Sequence, residues 1–173
     1  MAEQFKPGRF WAESYNAEHA LEKTPQARDA KLLEKEAQYN RMQSVPVGRQ
    51  EQQAIIDTVM SGAMKAEMEA TGASPDFIVS ELANVSKVES AGGSFNQPSS
   101  SGAAGFLQVT DGTFRDLLKR NVVGPKALEV LGKSKKQLLG MSNKQRQKYL
   151  TENHEAAAMF GLGAYLNKLQ GVR

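Results

Sequence analysis

The side chain with the clearest capacity for chemistry is Glu89, which stands where a helical pattern gives way to a loop. The pattern ends at Glu89 or Ser90 because Gly92-Gly93 does not readily continue a helix. The carbonyl groups at a helix C-terminus disfavour an ionised carboxylate by about 0.3–1 kcal/mol, and shielding from water by Phe95 and Leu107 would disfavour it further. The sequence therefore predicts a protonated general acid; a solvated, frayed helix end is the alternative.

A segment of small residues follows this acid and predicts a close approach of backbone or ligand. Gly102-Ala103-Ala104-Gly105 leaves room for that approach, and Phe106 and Leu107 can insert into a core. Gln108 can donate and accept hydrogen bonds, which suits a sugar hydroxyl or amide. Short polar contacts are also available from Ser90, Ser99, Ser100 and Ser101.

Helical spacing of apolar residues predicts the elements that position these side chains. Residues 10–44 are predicted to be helical, with a possible break near Thr24-Pro25, and residues 50–70 form a second helical stretch. Ser74-Pro75 starts the helix that carries Glu89, since a hydroxyl cap is followed by proline at the first helical position.

The elements after the acid are predicted to be short. Gly105 to Val109 is expected to be a short buried helix or turn, and Asp111-Gly112-Thr113 offers a cap for the next helix. Residues 122–150 predict two or three short helices separated by glycine turns. Asn153 is expected to cap the last helix, which carries Tyr165.

Composition indicates a mainly α fold without metal or cofactor. Ala, Glu, Lys, Gln, Leu and Met are plentiful, whereas Val, Ile and aromatic residues are sparse. There is no cysteine, and His19 and His154 lack a neighbour at ligand spacing, so a zinc site is not expected. We expect neither a signal peptide nor a membrane span, because no segment has the required apolar run.

Charge is unevenly distributed along the chain. The net charge is +3, yet residues 113–150 hold 10 basic and 2 acidic residues. Such a block can attract polyanions, nucleic acid included, or it can form solvated helix faces. Aromatic residues are not interleaved with these charges, which disfavours a platform for single-stranded nucleic acid.

The acid and the segment after it together resemble soluble lytic transglycosylases and the related goose-type lysozymes. Glu89-Ser90, the Gly/Ser loop, Gly102-Ala103-Ala104-Gly105-Phe106-Leu107-Gln108-Val109 and Thr113 are similar to the family pattern of Glu-Ser, a loop, Gly-Ala-x-Gly-Leu-Met-Gln and Thr. The spacing from the acid to the first glycine is one residue longer than usual. The last helix resembles the family's Gly-x-x-Tyr-Leu helix, and the resemblance covers roughly residues 74–169.

The resemblance implies a lysozyme-like helical domain that cleaves the β-1,4 bond between N-acetylmuramic acid and N-acetylglucosamine in peptidoglycan. Glu89 would be the single catalytic acid/base. The implied substrate-binding positions are Ser90, Ser99, Phe106, Leu107, Gln108 and Tyr165. Tyr149 is a candidate for a further cleft tyrosine of the family, and Asp111 is either a helix cap or the second carboxylate of a hydrolytic variant.

The same resemblance sets the expected domains and partners. Residues 1–70 are expected to be a helical extension that docks to other virion or tail proteins, and residues 71–173 the transglycosylase domain. The expected setting is a bacteriophage virion whose enzyme acts on the host cell wall during genome delivery. The alternatives are a structural virion protein with a lysozyme-like domain of little activity and a bacterial secretion-associated transglycosylase.

Overall fold

The structure, a computed structural model, describes residues 33–34, 46–94 and 96–171. Within 46–171 the α-helices are α1 (Arg49–Met60), α2 (Lys65–Thr71), α3 (Pro75–Ser90), α4 (Asp111–Lys119), α5 (Pro125–Leu131), α6 (Lys135–Leu139), α7 (Asn143–Glu152) and α8 (His154–Gly171). A short 3-10 turn, Ala91–Gly93, follows α3 directly. The described residues contain no strand, only an isolated bridge between Ala104 and Val109, which confirms the mainly α prediction.

The last helix, α8, lies at the centre of the fold. It packs against α1, α2, α3, α4, α5 and α7. Most of its residues from Ala156 to Leu166 are buried, as expected of a helix that other helices enclose on all sides. Phe160 stacks on Phe114 of α4 with ring centroids 4.2 Å apart. The last helix therefore supports every element that positions the candidate site.

The first two helices belong to the same hydrophobic core as the rest of the described chain. The buried apolar residues before α3 are Ala54, Ile55, Val59, Met64 and Met68. The docking role predicted for residues 1–70 stays a prediction, and the structure adds that 49–71 also serve the core. The helix predicted over 10–44 lies outside the described residues except for Leu33 and Glu34, which are helical.

Several predicted helix ends are confirmed by the structure. Ser74 caps α3, with its hydroxyl accepting from Phe77 N at 3.2 Å, and α3 ends at Ser90 as predicted. The Asn153 side chain accepts from Ala156 N at 3.0 Å at the start of α8. Three short helices, α5 to α7, occupy the region 122–150.

Two predictions about helix ends were wrong. The single helical stretch expected over 50–70 is two helices, because the chain turns at residues 61–64, where Gly62 adopts a left-handed φ of 74°. The cap of α4 is Thr110 rather than Asp111 or Thr113, since the Thr110 hydroxyl accepts from Thr113 N at 3.2 Å.

Candidate functional site

Glu89 lies in the last turn of α3 and is fully buried, with 0% of its surface exposed. The helix stops at Ala91, whose left-handed φ of 50° turns the chain and whose N–H donates to the Ser86 carbonyl. Burial and the negative end of the helix dipole both disfavour the ionised carboxylate.

Ser90 joins this acid to the small-residue segment. Its buried hydroxyl oxygen lies 2.6 Å from the Phe106 carbonyl and 3.1 Å from the Ser86 carbonyl, and it accepts from Gly93 N at 3.0 Å. The hydroxyl has one proton, so it can donate to only one of these two carbonyls at a time. The serine predicted to contact sugar thus holds the segment against the end of α3.

The small-residue segment forms a closed turn rather than a helix. Ala104 and Val109 exchange two backbone hydrogen bonds of 3.1 and 2.9 Å, and Gln108 N donates to the Gly105 carbonyl at 3.0 Å within the turn. Phe106 is fully buried in it. The alternative of a turn in the sequence prediction for 105–109 is therefore the one observed.

The turn lies directly against α8 and α7. A Cβ on Gly161 would overlap Leu107 Cδ1, so the glycine allows α8 to approach the turn. Gly105 has a φ of 78°, and a Cβ there would lie 3.1 Å from the Leu150 carbonyl oxygen at the end of α7. Phe106 and Leu107, which the resemblance placed among the substrate-binding positions, are fully buried core residues.

Gln108 is the polar side chain at the end of the turn and is 1% exposed. It adopts a left-handed φ of 52°, which is uncommon for a residue with a side chain. Its Nε2 donates to the Gly105 carbonyl at 2.9 Å and to the Gln97 carbonyl at 3.1 Å. The amide nitrogen is therefore used to hold the turn and the loop before it.

The two remaining predicted substrate-binding residues are Ser99 and Tyr165. Ser99 starts the tight turn into the segment: its N–H donates to the Ala103 carbonyl at 2.9 Å, and its hydroxyl lies 2.7 Å from that of Ser101. Tyr165 is buried in the core on α8. The structure thus brings Glu89, Ser90 and the turn of residues 104–109 together, and Phe95 lies outside the described residues.

Sequence reasoning missed a role for Arg146 in holding this segment. This α7 residue is 1% exposed, and its guanidinium donates to the carbonyls of Val109 at 3.0 Å and Gly102 at 2.6 Å. Desolvation lowers the pKa of Arg146, while the charge of nearby Asp111 opposes that shift. One cation therefore binds both ends of the Gly102–Val109 segment.

Asp111 pairs with Arg146 rather than acting as a helix cap. Its carboxylate lies 3.1 Å from Arg146 Nε and 3.1 Å from Arg115 Nε. Two guanidinium groups therefore pair with the one Asp111 carboxylate. Arg115 also donates to the carbonyls of Leu139 and Met141, so both arginines organise backbone.

A second pair of ionisable groups lies beside the turn that follows Glu89. Glu51 Oε1 of α1 lies 3.2 Å from His154 Nε2 at the start of α8. The Glu51 side chain covers Gly93, where a Cβ would come within 2.5 Å of the carboxylate. The His154 and Phe106 rings are tilted with centroids 6.0 Å apart. His154 is therefore a half-buried partner of a carboxylate, which sequence spacing did not predict.

The described ranges contain neither a metal cluster nor a membrane-spanning helix. No three His, Asp or Glu side chains in the described part of the chain are grouped so as to hold a metal ion. None of the helices described there is both long and apolar enough to cross a membrane.

Comparison with known proteins assigns no family to the chain. No protein-family model, curated protein or solved structure matches it. What is established is a mainly α-helical fold in which Ser90, the residue after the buried Glu89, is hydrogen-bonded to the closed turn of residues 104–109.

Proposed function

We propose that this protein is a peptidoglycan lytic transglycosylase with a lysozyme-like domain and with Glu89 as its catalytic acid and base. One observation carries the proposal: a fully buried acid at the end of α3 is joined through Ser90 to the turn of residues 104–109. The resemblance of that turn to the transglycosylase motif supplies the substrate class. The substrate is the glycan strand of alternating N-acetylmuramic acid and N-acetylglucosamine.

The proposed reaction needs one proton to be given and one to be taken. Protonated Glu89 donates to the glycosidic oxygen, and the bond from that oxygen to C1 of N-acetylmuramic acid breaks. The carboxylate then accepts the proton of the C6 hydroxyl, whose oxygen bonds to C1 and closes a 1,6-anhydro ring. Glu89 is protonated again at the end. No water is consumed, so a second carboxylate to activate water is not required.

Burial of Glu89 sets a condition on this mechanism. A general acid must come within hydrogen-bond distance of the oxygen that it protonates, and Glu89 is fully enclosed. Substrate binding must therefore displace groups that cover the carboxyl.

Substitution of Glu89 by glutamine tests the proposal. Glutamine has nearly the same shape as protonated glutamate but cannot supply a proton, so we expect release of anhydro-muropeptides to fall by at least about 100-fold. Mass spectrometry of digests of purified sacculi measures this release. Glu129→Gln, at an exposed position on α5, is the matched control and should retain full activity.

The products decide between reaction types. Muropeptides with reducing ends, instead of anhydro ends, would indicate hydrolysis. If the parent protein releases neither product, the lytic proposal is wrong.

A structural virion protein is the second candidate function. The full burial of Glu89 favours it, since an enclosed acid can serve packing alone. This candidate predicts that the parent protein binds sacculi without cleaving them. It also predicts that Glu89→Gln leaves that binding and the fold, measured by circular dichroism, unchanged.

Docking to the virion is a separate part of the proposal. Because residues 49–71 belong to the core, a deletion limited to residues 1–45 tests docking while it keeps helices α1 and α2. We expect the shortened chain to keep its helical circular dichroism and to stop co-purifying with virions. Continued co-purification would assign docking to another part of the chain.

A further inference from the structure

Three side chains near the turn each bury an oxygen atom that has no hydrogen-bond partner among the described residues. These atoms are Asn96 Oδ1, Gln108 Oε1 and Thr151 Oγ1. A buried polar atom without a partner costs folding free energy, so native proteins rarely retain several of them close together without a use.

These three residues belong to one neighbourhood. Asn96 Nδ2 donates to the Thr151 carbonyl at 3.2 Å, and Gln108 Nε2 donates to the carbonyl of Gln97, the residue after Asn96, at 3.1 Å. Thr151 follows Leu150, whose carbonyl lies against Gly105 of the turn. The end of α7 and the loop at 96–97 therefore meet beside the turn of residues 104–109.

The hydrogen bonds also determine which chemical groups this neighbourhood can accept. Both amide nitrogens already donate to backbone carbonyls, and rotating either amide by 180° would replace that bond with a contact between two oxygens. The amide oxygens of Asn96 and Gln108 are thus left as acceptors, beside a threonine hydroxyl that can donate or accept. These atoms can therefore accept hydrogen bonds from O–H and N–H groups of a ligand.

We propose that Asn96, Gln108 and Thr151 form a subsite that binds the hydroxyl and acetamido N–H groups of an N-acetylated glycan. The choice of glycan as ligand rests on the proposed function. Asn96 and Thr151 are not among the substrate-binding positions that the resemblance to transglycosylases implies. Glycan binding would supply the donors that these three oxygens lack in the described chain.

The sharpest test exchanges Thr151 for valine and for serine in the full chain. Valine keeps the branched shape but removes the hydroxyl, whereas serine keeps the hydroxyl. Titration calorimetry with N-acetylchitotetraose measures the dissociation constant of each variant. We expect Thr151→Val to weaken binding about 3- to 10-fold, the effect of one neutral hydrogen bond, and Thr151→Ser to weaken it less than about 2-fold.

Stability separates a ligand role from a structural role. Because Thr151 Oγ1 has no partner in the described chain, Thr151→Val should unfold at no lower urea concentration than the parent protein. Equal dissociation constants for the parent and Thr151→Val would overturn the subsite and leave an ordered water as the partner of the hydroxyl. Absence of measurable binding by the parent protein would overturn it as well.

Failure of the subsite and failure of the proposed function give different results. Binding of the tetrasaccharide that depends on Thr151, without cleavage of sacculi, supports the subsite and refutes the enzyme. Cleavage that depends on Glu89, with binding indifferent to Thr151, supports the enzyme and refutes the subsite.

Discussion

The Gly102–Val109 segment and the basic block of residues 113–150 are neighbours in sequence but are built in different ways. The segment is almost entirely buried, and its ends are held by Arg146, more than 30 residues later in the chain. The basic block forms short helices whose caps are local: Ser134 and Ser142 each complete a capping box with a glutamine three residues later. The ends of the segment thus depend on a distant side chain, whereas these two helix starts depend on adjacent residues.

The difference shows that a charge count does not reveal what each charge does. Ten basic residues of the block look alike in sequence, yet Arg115 and Arg146 bind backbone carbonyls and Asp111. Six lysines of the block are instead exposed to solvent. They are Lys119, Lys126, Lys133, Lys136, Lys144 and Lys148. The block therefore combines structural cations that face inwards with solvated ones that face outwards.

Removal of Arg146 is expected to have the largest effect on stability. Arg146→Met leaves the carbonyls of Gly102 and Val109 without their donor and removes one partner of Asp111, so we expect the free energy of unfolding to fall by about 3 kcal/mol. Urea unfolding followed by circular dichroism measures the change. Lys148→Met, at an exposed position two residues later on α7, should change it by less than about 0.5 kcal/mol. Equal effects of the two variants would show that the hydrogen bonds from Arg146 to Gly102 and Val109 do not stabilise the fold.

Filling the contact between α8 and the turn is expected to have the next largest effect. In Gly161→Ala the new methyl group would overlap Leu107, and we expect a loss of about 2 kcal/mol in the free energy of unfolding. Gly112→Ala is the matched control, since nothing lies within 4 Å of a Cβ there. Alanine at that helical position should leave stability unchanged or raise it. A stable Gly161→Ala protein would show that α8 can move away from the turn.

Helices that are defined by local signals could be predicted from the sequence. Ser74-Pro75 and Asn153 mark their helix starts through chemistry within one turn. Thr110 was missed because Asp111 and Thr113 are equally good caps in sequence, and only the direction of the chain entering α4 decides among them.

Partners that are far apart in the sequence could not be predicted. Arg146 and Asp111 are separated by α5 and α6, and Glu51 and His154 by most of the described chain. The periodicity of residues within one helix does not predict a contact between residues so far apart in the sequence. The sequence predicted the end of α3 at Ser90 and a turn within residues 105–109, whereas the distant groups that hold this turn could be identified only from the fold.

The burial of Tyr149, which lies within the basic block, can be tested through the pH dependence of stability. Its hydroxyl is buried without a hydrogen-bond partner in the described chain, and burial, assisted by the charge of Glu155, raises its pKa. Folding therefore favours the neutral phenol, and its contribution to stability is present below about pH 10 and is lost as pH rises further. Tyr149→Phe should lose less stability than the parent protein between about pH 9 and pH 11, as measured by urea unfolding. Parallel pH profiles would place the hydroxyl in contact with water.

The outward side of the block is expected to show the smallest effect. Lys133 and Lys144 are exposed, so Lys133→Gln combined with Lys144→Gln should change the free energy of unfolding by less than about 0.5 kcal/mol. Urea unfolding at low and high salt checks this, because any contribution of solvated charges should diminish as salt screens them. A larger loss, insensitive to salt, would mean that these lysines hold backbone as Arg146 does. The distinction between buried, structural cations and exposed, solvated cations would then be wrong for this block.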